Sequence, residues 1–297
     1  MYVLTEGKRI FTILQLAEWL EHNLHREITI AELEKKTGYS ARHLYTFFTD
    51  RLGISVTRYI RRRRLTLASV MLRETSRSVT EIALMYQFNH LQTFSRAFRK
   101  QFGQSPQQYR RAQAWDMQHY YPSAAVKKIR CKPRLAGVNQ LRFFPVDHVF
   151  YRINFGYDFL VTTKNEKINA YPEVYQDCID FIFRNHIRQP LVVFGELLPG
   201  KKSDTEINIY SGYFTAENRP GIISVPCGYY LCFTSTDTPA ELMKFFSWAK
   251  GHGMHSQGTI MKRGPTFTVF TATGTTDIYK AEHYIPCVNP HSTATPE

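Results

Sequence analysis

The sequence predicts two domains, an all-α domain of tandem helix-turn-helix units followed by an α+β domain built on an antiparallel sheet. Three observations predict it. Apolar residues recur with helical period up to about residue 120, and β-branched residues, aromatics and Gly/Pro punctuation dominate afterwards. A short helix, a turn and a polar-faced helix occur twice, about 50 residues apart. Charge divides near the same place. Residues 1–134 hold 24 Lys/Arg against 10 Asp/Glu, residues 135–297 hold 14 against 15, and the net +13 is therefore +14 with −1.

A chain of 297 residues is long enough for two cores, and 43% hydrophobic with 21% charged residues is globular composition. No run of 18 apolar residues exists, so no membrane span is expected. The opening MYVLTEGKRIFTILQLAEWLEHN lacks the short apolar core of a signal peptide. Five scattered cysteines, without a CxxC or Cys/His spacing, suggest reduced thiols rather than zinc or a disulfide framework. The expectation is a soluble cytoplasmic protein without cofactor, whose basic first half meets a polyanion such as the nucleoid's DNA.

Ile10, Ile13, Leu14, Ala17 and Leu20 form the apolar stripe of a first helix. In ITIAELEKKTGYSARHLYTFFTDRLG, Ile30 and Leu33 anchor a short helix, Gly38 can take positive φ, and Ser40 caps the next helix. There Leu44, Phe47 and Phe48 face inward, leaving Arg42, Tyr45, Thr46 and Thr49 outward at i, i+3, i+4 and i+7. The second unit, SVTEIALMYQFNHLQTFSRAFRKQFGQSP, has Ile82 and Ala83 in its first helix and a turn through Tyr86, Gln87 and Phe88. Its second helix is expected to bury Leu91, Phe94, Phe98 and Phe102, with Gln92, Thr93, Arg96, Arg99 and Lys100 outside. Gln and Arg suit base edges, while Arg and Lys farther along suit phosphates.

A helix through SVTRYIRRRRLTLASVMLRE joins the units, apolar at Tyr59, Ile60, Leu67, Val70 and Met71. Roughly 18 residues span about 27 Å, commensurate with the ~34 Å turn of B-DNA. Two unequal recognition faces imply an asymmetric duplex site bound by a monomer. Within Arg61–Arg64, Arg61 and Arg62 are the candidates for phosphate contact, against the alternative of a solvated helix face.

IALMYQFNHLQTFSRAFRKQFGQSPQQYR, through Ile82, Ala83, Phe88, Phe94–x–Arg96–x–Phe98, Gly103, Pro106 and Tyr109–Arg110, resembles the signature of the AraC/XylS family of bacterial transcription activators. The resemblance covers about residues 10–112. The N-terminal position of the unit is similar to the Rob-like branch. It implies duplex DNA and RNA polymerase as partners. Three departures stand out. Glu34 occupies a place where the family packs Ala or Ser, and Gln87 replaces the frequent turn glycine. Arg42, Tyr45 and Thr46 replace the branch's Trp and Gln–Arg pair, so base preference at that half-site should differ.

The domains are placed at 1–120 and 135–297, with a basic linker at 121–134. In the second, RLAGVNQLRFFP reads as a strand, and YPEVYQDCIDFIFRNH as a helix with Val174, Cys178, Phe181 and Ile182 inward. LVVFGELL and EINIYSGYF read as a strand pair, and GIISVPCGYYLCFTS as β. DTPAELMKFFSWAKG reads as a helix with Thr238 as N-cap, Pro239 at N1, Glu241 completing a capping box and Gly251 beyond its end. TFTVFTAT and AEHYIPCV close the sheet. AEHYIPC resembles the closing strand of GyrI-like effector-binding domains, which implies an aromatic-walled groove with a carboxylate for cationic or amphipathic small molecules. Glu282 and Glu196 are the candidate carboxylates, with Tyr284, Tyr175 and Trp248 as candidate rings. For any one ring an ordinary core position is the competing reading.

Catalysis is not expected. Pro226–Cys227–Gly228–Tyr229 and Pro286–Cys287–Val288–Asn289 lack the histidine that an alkyl-acceptor cysteine needs, and no nucleophile elbow, phosphate loop or zinc-protease motif occurs. His252 and His255 lie i, i+3 without further ligands for a metal. The alternative to a sequence-specific regulator is a basic nucleoid-type protein whose second domain binds a protein.

Overall fold

The computed structural model describes residues 2–126, 129–153, 180, 182–183, 190–201 and 205–289, with side chains from residue 13 to 150 and in the later segments. Seven helices come first: α1 (Tyr2–Asn23), α2 (Ile30–Thr37), α3 (Ala41–Leu52), α4 (Val56–Glu74), α5 (Val79–Met85), α6 (Leu91–Phe102) and α7 (Pro106–Arg111). Among the described residues ten strands follow: β1 (Ala114–Asp116), β2 (Arg134–Val138), β3 (Arg142–Ile153), β4 (Leu191–Pro199), β5 (Thr205–Phe214), β6 (Ile223–Ser224), β7 (Gly228–Asp237), β8 (Ile260–Lys262), β9 (Thr266–Ala272) and β10 (Tyr279–Cys287). A long helix, α8 (Pro239–Trp248), lies between β7 and β8. No described helix is long and apolar enough to cross a membrane. The predicted fold class holds: helix-turn-helix units, then an antiparallel sheet with a helix on one face.

Helix ends explain why the short helices form at all. Ser40, Ser55, Ser78 and Ser105 each accept a backbone N–H of the following turn, and the boxes at Ser78/Glu81 and Ser105/Gln108 are reciprocal. Gly38, Gly53 and Gly103 end α2, α3 and α6 with φ near +70°. α1 and the turn that follows it present Ile13, Leu16, Ala17, Leu20 and Leu24 to the core, a stripe of i, i+3, i+4, i+7 and i+11. Leu14, expected inside, points out at 46% exposure, and Leu16 takes its place.

β10 sits at the centre of the sheet. β7 pairs along its whole length, β9 along six residues from Tyr279 to Tyr284, and β8 at Cys287. β9 continues through β4, β5 and β3 to β6. The segment read as one strand, RLAGVNQLRFFP, is two, β2 and β3, because Gln140 at φ +53° breaks the extension. β3 carries a bulge between Pro145 and Asp147, where proline has no N–H to give the ladder. Gly212 lies opposite, and a Cβ there would fall 2.0 Å from the Phe144 carbonyl oxygen.

Two expectations at α8 fail. Thr238 has N-cap backbone angles but no side-chain cap bond, and Glu241 binds Lys244 at 2.5 Å instead of closing a box. Gly251 does not lie beyond the helix. The chain continues through a wide turn at 249–253 and one more turn to Ser256, and Gly258 ends it at φ +57°. Tyr120 packs over Gly251 and Phe233 over Gly253, where no side chain fits without displacement. Of the helix expected at 171–186, Ile182 is buried as expected, whereas Val174, Cys178 and Phe181 lie outside the described residues.

The halves share one core. A single cluster runs from Leu16 through α4 to Trp115, Met117, Phe233, Phe245, Trp248, Met261 and Ile285. β1, inside the stretch placed in the first domain, pairs with β8 of the second. Residues from the basic linker also dock on α4: Tyr121 N–H donates to Thr66 Oγ1 and Ala124 N–H to the Tyr59 hydroxyl. His255 and His252, the pair considered for metal, donate to the carbonyls of Met117 and Ser123. No group of residues that could hold a metal occurs among the described residues.

Candidate nucleic-acid interface

The first recognition helix is α3. Leu44 and Phe48 are fully buried and Phe47 nearly so, which turns Arg42, Tyr45 and Thr46 outward and leaves Thr49 half-buried. Tyr45, at 59% exposure, is a large ring that no packing explains. Thr46 and Thr49 donate their hydroxyls to the carbonyls of Arg42 and Tyr45, so only their oxygen lone pairs and methyls face out. The carboxylate of Glu34 accepts from Ala41 N–H at 2.5 Å. It thereby caps the start of α3 and ties α2 to it.

The second recognition helix is α6. Phe94, Ala97, Phe98 and Phe102 form its buried face, continued by Tyr109 of α7 and Trp115 of β1 in a run of ring contacts 4.5–6.2 Å apart. Gln92, Thr93, Arg96, Arg99 and Lys100 are all exposed. Leu91, expected inside, is 44% exposed at the first turn, because the buried stripe starts at Phe94. Arg96 makes no hydrogen bond or ion pair among the described residues. The turn before α6 takes the strained form: Gln87 has φ +63°, held by its side-chain amide donating to His25 carbonyl at 2.6 Å.

α4 fixes the two units. At 19 residues it spans about 28 Å. The arginine run divides between its inside and its outside. Arg63 is 2% exposed and binds Glu21 of α1 at 2.7 Å; the same carboxylate takes the Tyr59 hydroxyl at 2.8 Å. Burial opposes its charge, but Glu21 holds the Arg63 guanidinium above its ordinary range. Arg64 donates to the carbonyls of Leu24 and Arg26, and burial pulls it down to about 10. Both guanidiniums are engaged by partners inside the fold. Arg61 is exposed, and Arg62 lies over the Tyr121 ring at 5.2 Å. The Arg110 of the signature likewise works inward, donating to the carbonyls of Leu72 and Arg77. Periodicity could not reveal these roles, because a charged residue on an apolar face has no sequence mark of its partner.

The structure does not bring the candidate ligand residues together. Glu282 and Tyr284 share one face of β10, where Tyr284 stacks on Phe267 at 4.3 Å. Glu282 is not a lone carboxylate: Arg134 lies 3.3 Å and Lys280 3.8 Å away, and Arg134 also donates to the Tyr284 hydroxyl at 2.7 Å. Trp248 lies on the opposite face, against Phe233 and Phe245 in the shared core. Glu196 stands four residues along β4 from Val192, whose row contains Val269 and Glu282, a separation of about 13 Å. It lines a recess with Arg73, Lys262 and Arg263. Tyr175 lies outside the described residues.

Residues 33–112 match a family described as a helix-turn-helix domain. YkgA of Escherichia coli, whose name describes an HTH-type transcriptional regulator, is 36% identical over 167 residues, 54% of this chain and 66% of YkgA. That alignment is longer than the helical half. The Right origin-binding protein of Escherichia coli is 45% identical over 103 residues, 35% of this chain and 36% of that protein. The regulatory protein SoxS of Salmonella typhimurium is 39% identical over 98 residues, which is 33% of this chain and 92% of SoxS. The chain thus covers a third to two thirds of the first two relatives and nearly all of the third.

Proposed function

Because the chain belongs to the AraC/XylS family of DNA-binding transcription regulators, we propose that it reads an asymmetric duplex site as a monomer and activates transcription there. The observation that carries this reading is the pair of unequal polar faces, on α3 and α6, held by one rigid helix. Arg96 and Gln92 contact base edges in one major-groove segment, while Arg42, Tyr45, Thr46 and Thr49 contact the other. Thr93, Arg99, Lys100, Arg61 and Arg62 meet phosphates. RNA polymerase is the protein partner on the promoter. Competition at fixed salt tests this: one site should be preferred over random duplex by about 10³-fold or more, and equal binding of all duplexes would leave only a basic nucleoid-type protein.

The second half senses an amphipathic small molecule. Support comes from the sheet face where Tyr284 and Glu282 of β10 meet Arg134 of β2 and Phe267 of β9. Its polar groups include both signs, so a ligand there exchanges contacts with the Arg134–Glu282 pair instead of meeting a lone carboxylate.

A further inference from the structure

Leu91 opens α6 and is 44% exposed, whereas Phe94, Phe98 and Phe102 of the same helix are buried to 4% or less. A spacing of seven puts Leu91 in line with Phe98, so helical phase alone would bury it. It stays outside because the core beneath the stripe starts one turn later, at Phe94. Asn89 and His90, which lead into the turn, are exposed as well.

This end of α6 is also the end that suits base edges. Gln92 follows Leu91, and Arg96 stands one turn beyond Gln92, both exposed, while Arg99 and Lys100 lie near the far end. A recognition helix presents its N-terminal residues to the bases. Each Cα–Cβ bond of a helix tilts towards the N-terminus, so the Leu91 side chain leads α6 into the groove. An isobutyl group can neither donate nor accept a hydrogen bond. The apolar feature that a base pair offers in the major groove is the C5-methyl group of thymine.

We propose that Leu91 is a specificity-determining residue that reads one thymine through its C5-methyl group, beside the bases read by Gln92 and Arg96. The proposal rests on the reading of α6 as a base-contacting helix and deepens it by naming a base and an apolar contact. Burying one methyl-sized group against leucine is worth about a fourfold change in affinity.

Uracil in place of thymine deletes that methyl and leaves the base pair intact, which makes it the direct test. In the preferred duplex, the segment whose discrimination Arg96→Ala relaxes has each thymine replaced singly by uracil. Binding of the full chain is then measured at fixed salt. One replacement should weaken binding about fourfold, and Leu91→Ala should bind the thymine and uracil duplexes equally. The uracil series on the unsubstituted protein keeps the test decisive should Leu91→Ala fold poorly. No preferred duplex at all would remove the base-reading role of α6 and this proposal together. A preferred duplex without thymine in that segment, one in which no uracil replacement matters, or a thymine preference unchanged in Leu91→Ala would overturn the proposal alone. So would a Leu91→Ala protein that binds every duplex like its parent yet loses transcription in vitro, since Leu91 would then meet a protein.

Discussion

Arg63 of α4 and Glu21 of α1 form an ion pair at 2.7 Å in which neither side chain is more than 3% exposed. Tyr59 and the Tyr121 carbonyl complete its hydrogen bonding. The pair sits where the first helix, the spacer helix and the segment after β1 meet. Removing one partner strands the other charge. Arg63→Met or Glu21→Gln should therefore cost about 3–5 kcal/mol in denaturant unfolding. A loss below about 1 kcal/mol would mean that water reaches the remaining charge.

Arg96→Ala should cost about 1–3 kcal/mol on the preferred duplex and relax discrimination at one base pair, with Gln92→Ala weaker in the same sense. Arg61→Ala should instead weaken every duplex alike and lower the salt slope by about one. Binding isotherms at several salt concentrations separate the two patterns. An Arg96→Ala variant that melts lower and loses affinity uniformly would assign Arg96 a structural role.

Glu34→Ala restores the small side chain common in the family and deletes the cap on Ala41. It should lower stability by about 0.5–2 kcal/mol, since the backbone N–H then lacks its acceptor. Thermal melts of the two proteins measure the difference. Equal stability of the Glu34→Ala protein would show that solvent satisfies this N–H.

Acid should destabilise the folded protein well before carboxylates titrate. Burial pulls His283 down to about 3, where Thr268 Oγ1 lies 2.8 Å from its Nδ1, and His252 to about 4. Both pKa values lie below the unfolded value near 6.5, so the unfolded chain binds more protons and stability falls as pH drops below about 6.5. Each histidine contributes up to about 1.4 kcal/mol per pH unit until its folded value is reached. Unfolding free energies at pH 7, 6 and 5 check the slope, and His252→Gln should reduce it. A stability independent of pH over this range would place both rings in contact with solvent.

Much of this was legible in the sequence where a local rule decides the outcome. Serine caps, glycine C-caps and the Phe94/Phe98/Phe102 stripe follow from chain-local chemistry, and so did the outer faces of α3 and α6. What was not legible depended on partners far along the chain. Leu14 reads as core by spacing, yet the core reaches α1 on the side of Leu16. The arginine run reads as a solvated or phosphate-facing stripe, yet Arg63 has Glu21 and Arg64 the carbonyls of Leu24 and Arg26. Glu282 reads as a lone strand carboxylate because Arg134 lies 148 residues away. Segments 114–126 read as an approach to a linker, although Trp115 donates to Tyr109 carbonyl and Met117 N–H to Thr259 carbonyl within the shared core.

Two unequal helix faces that read one composite site should leave a two-part signature in the DNA they select. Selection of bound duplexes from a random pool tests it most directly. The expected result is enrichment of an asymmetric sequence with two recurrent segments about one helical turn apart, each abolished separately by substitutions in α3 or in α6. Enrichment of a palindrome, of a single segment, or of no sequence at all would contradict it.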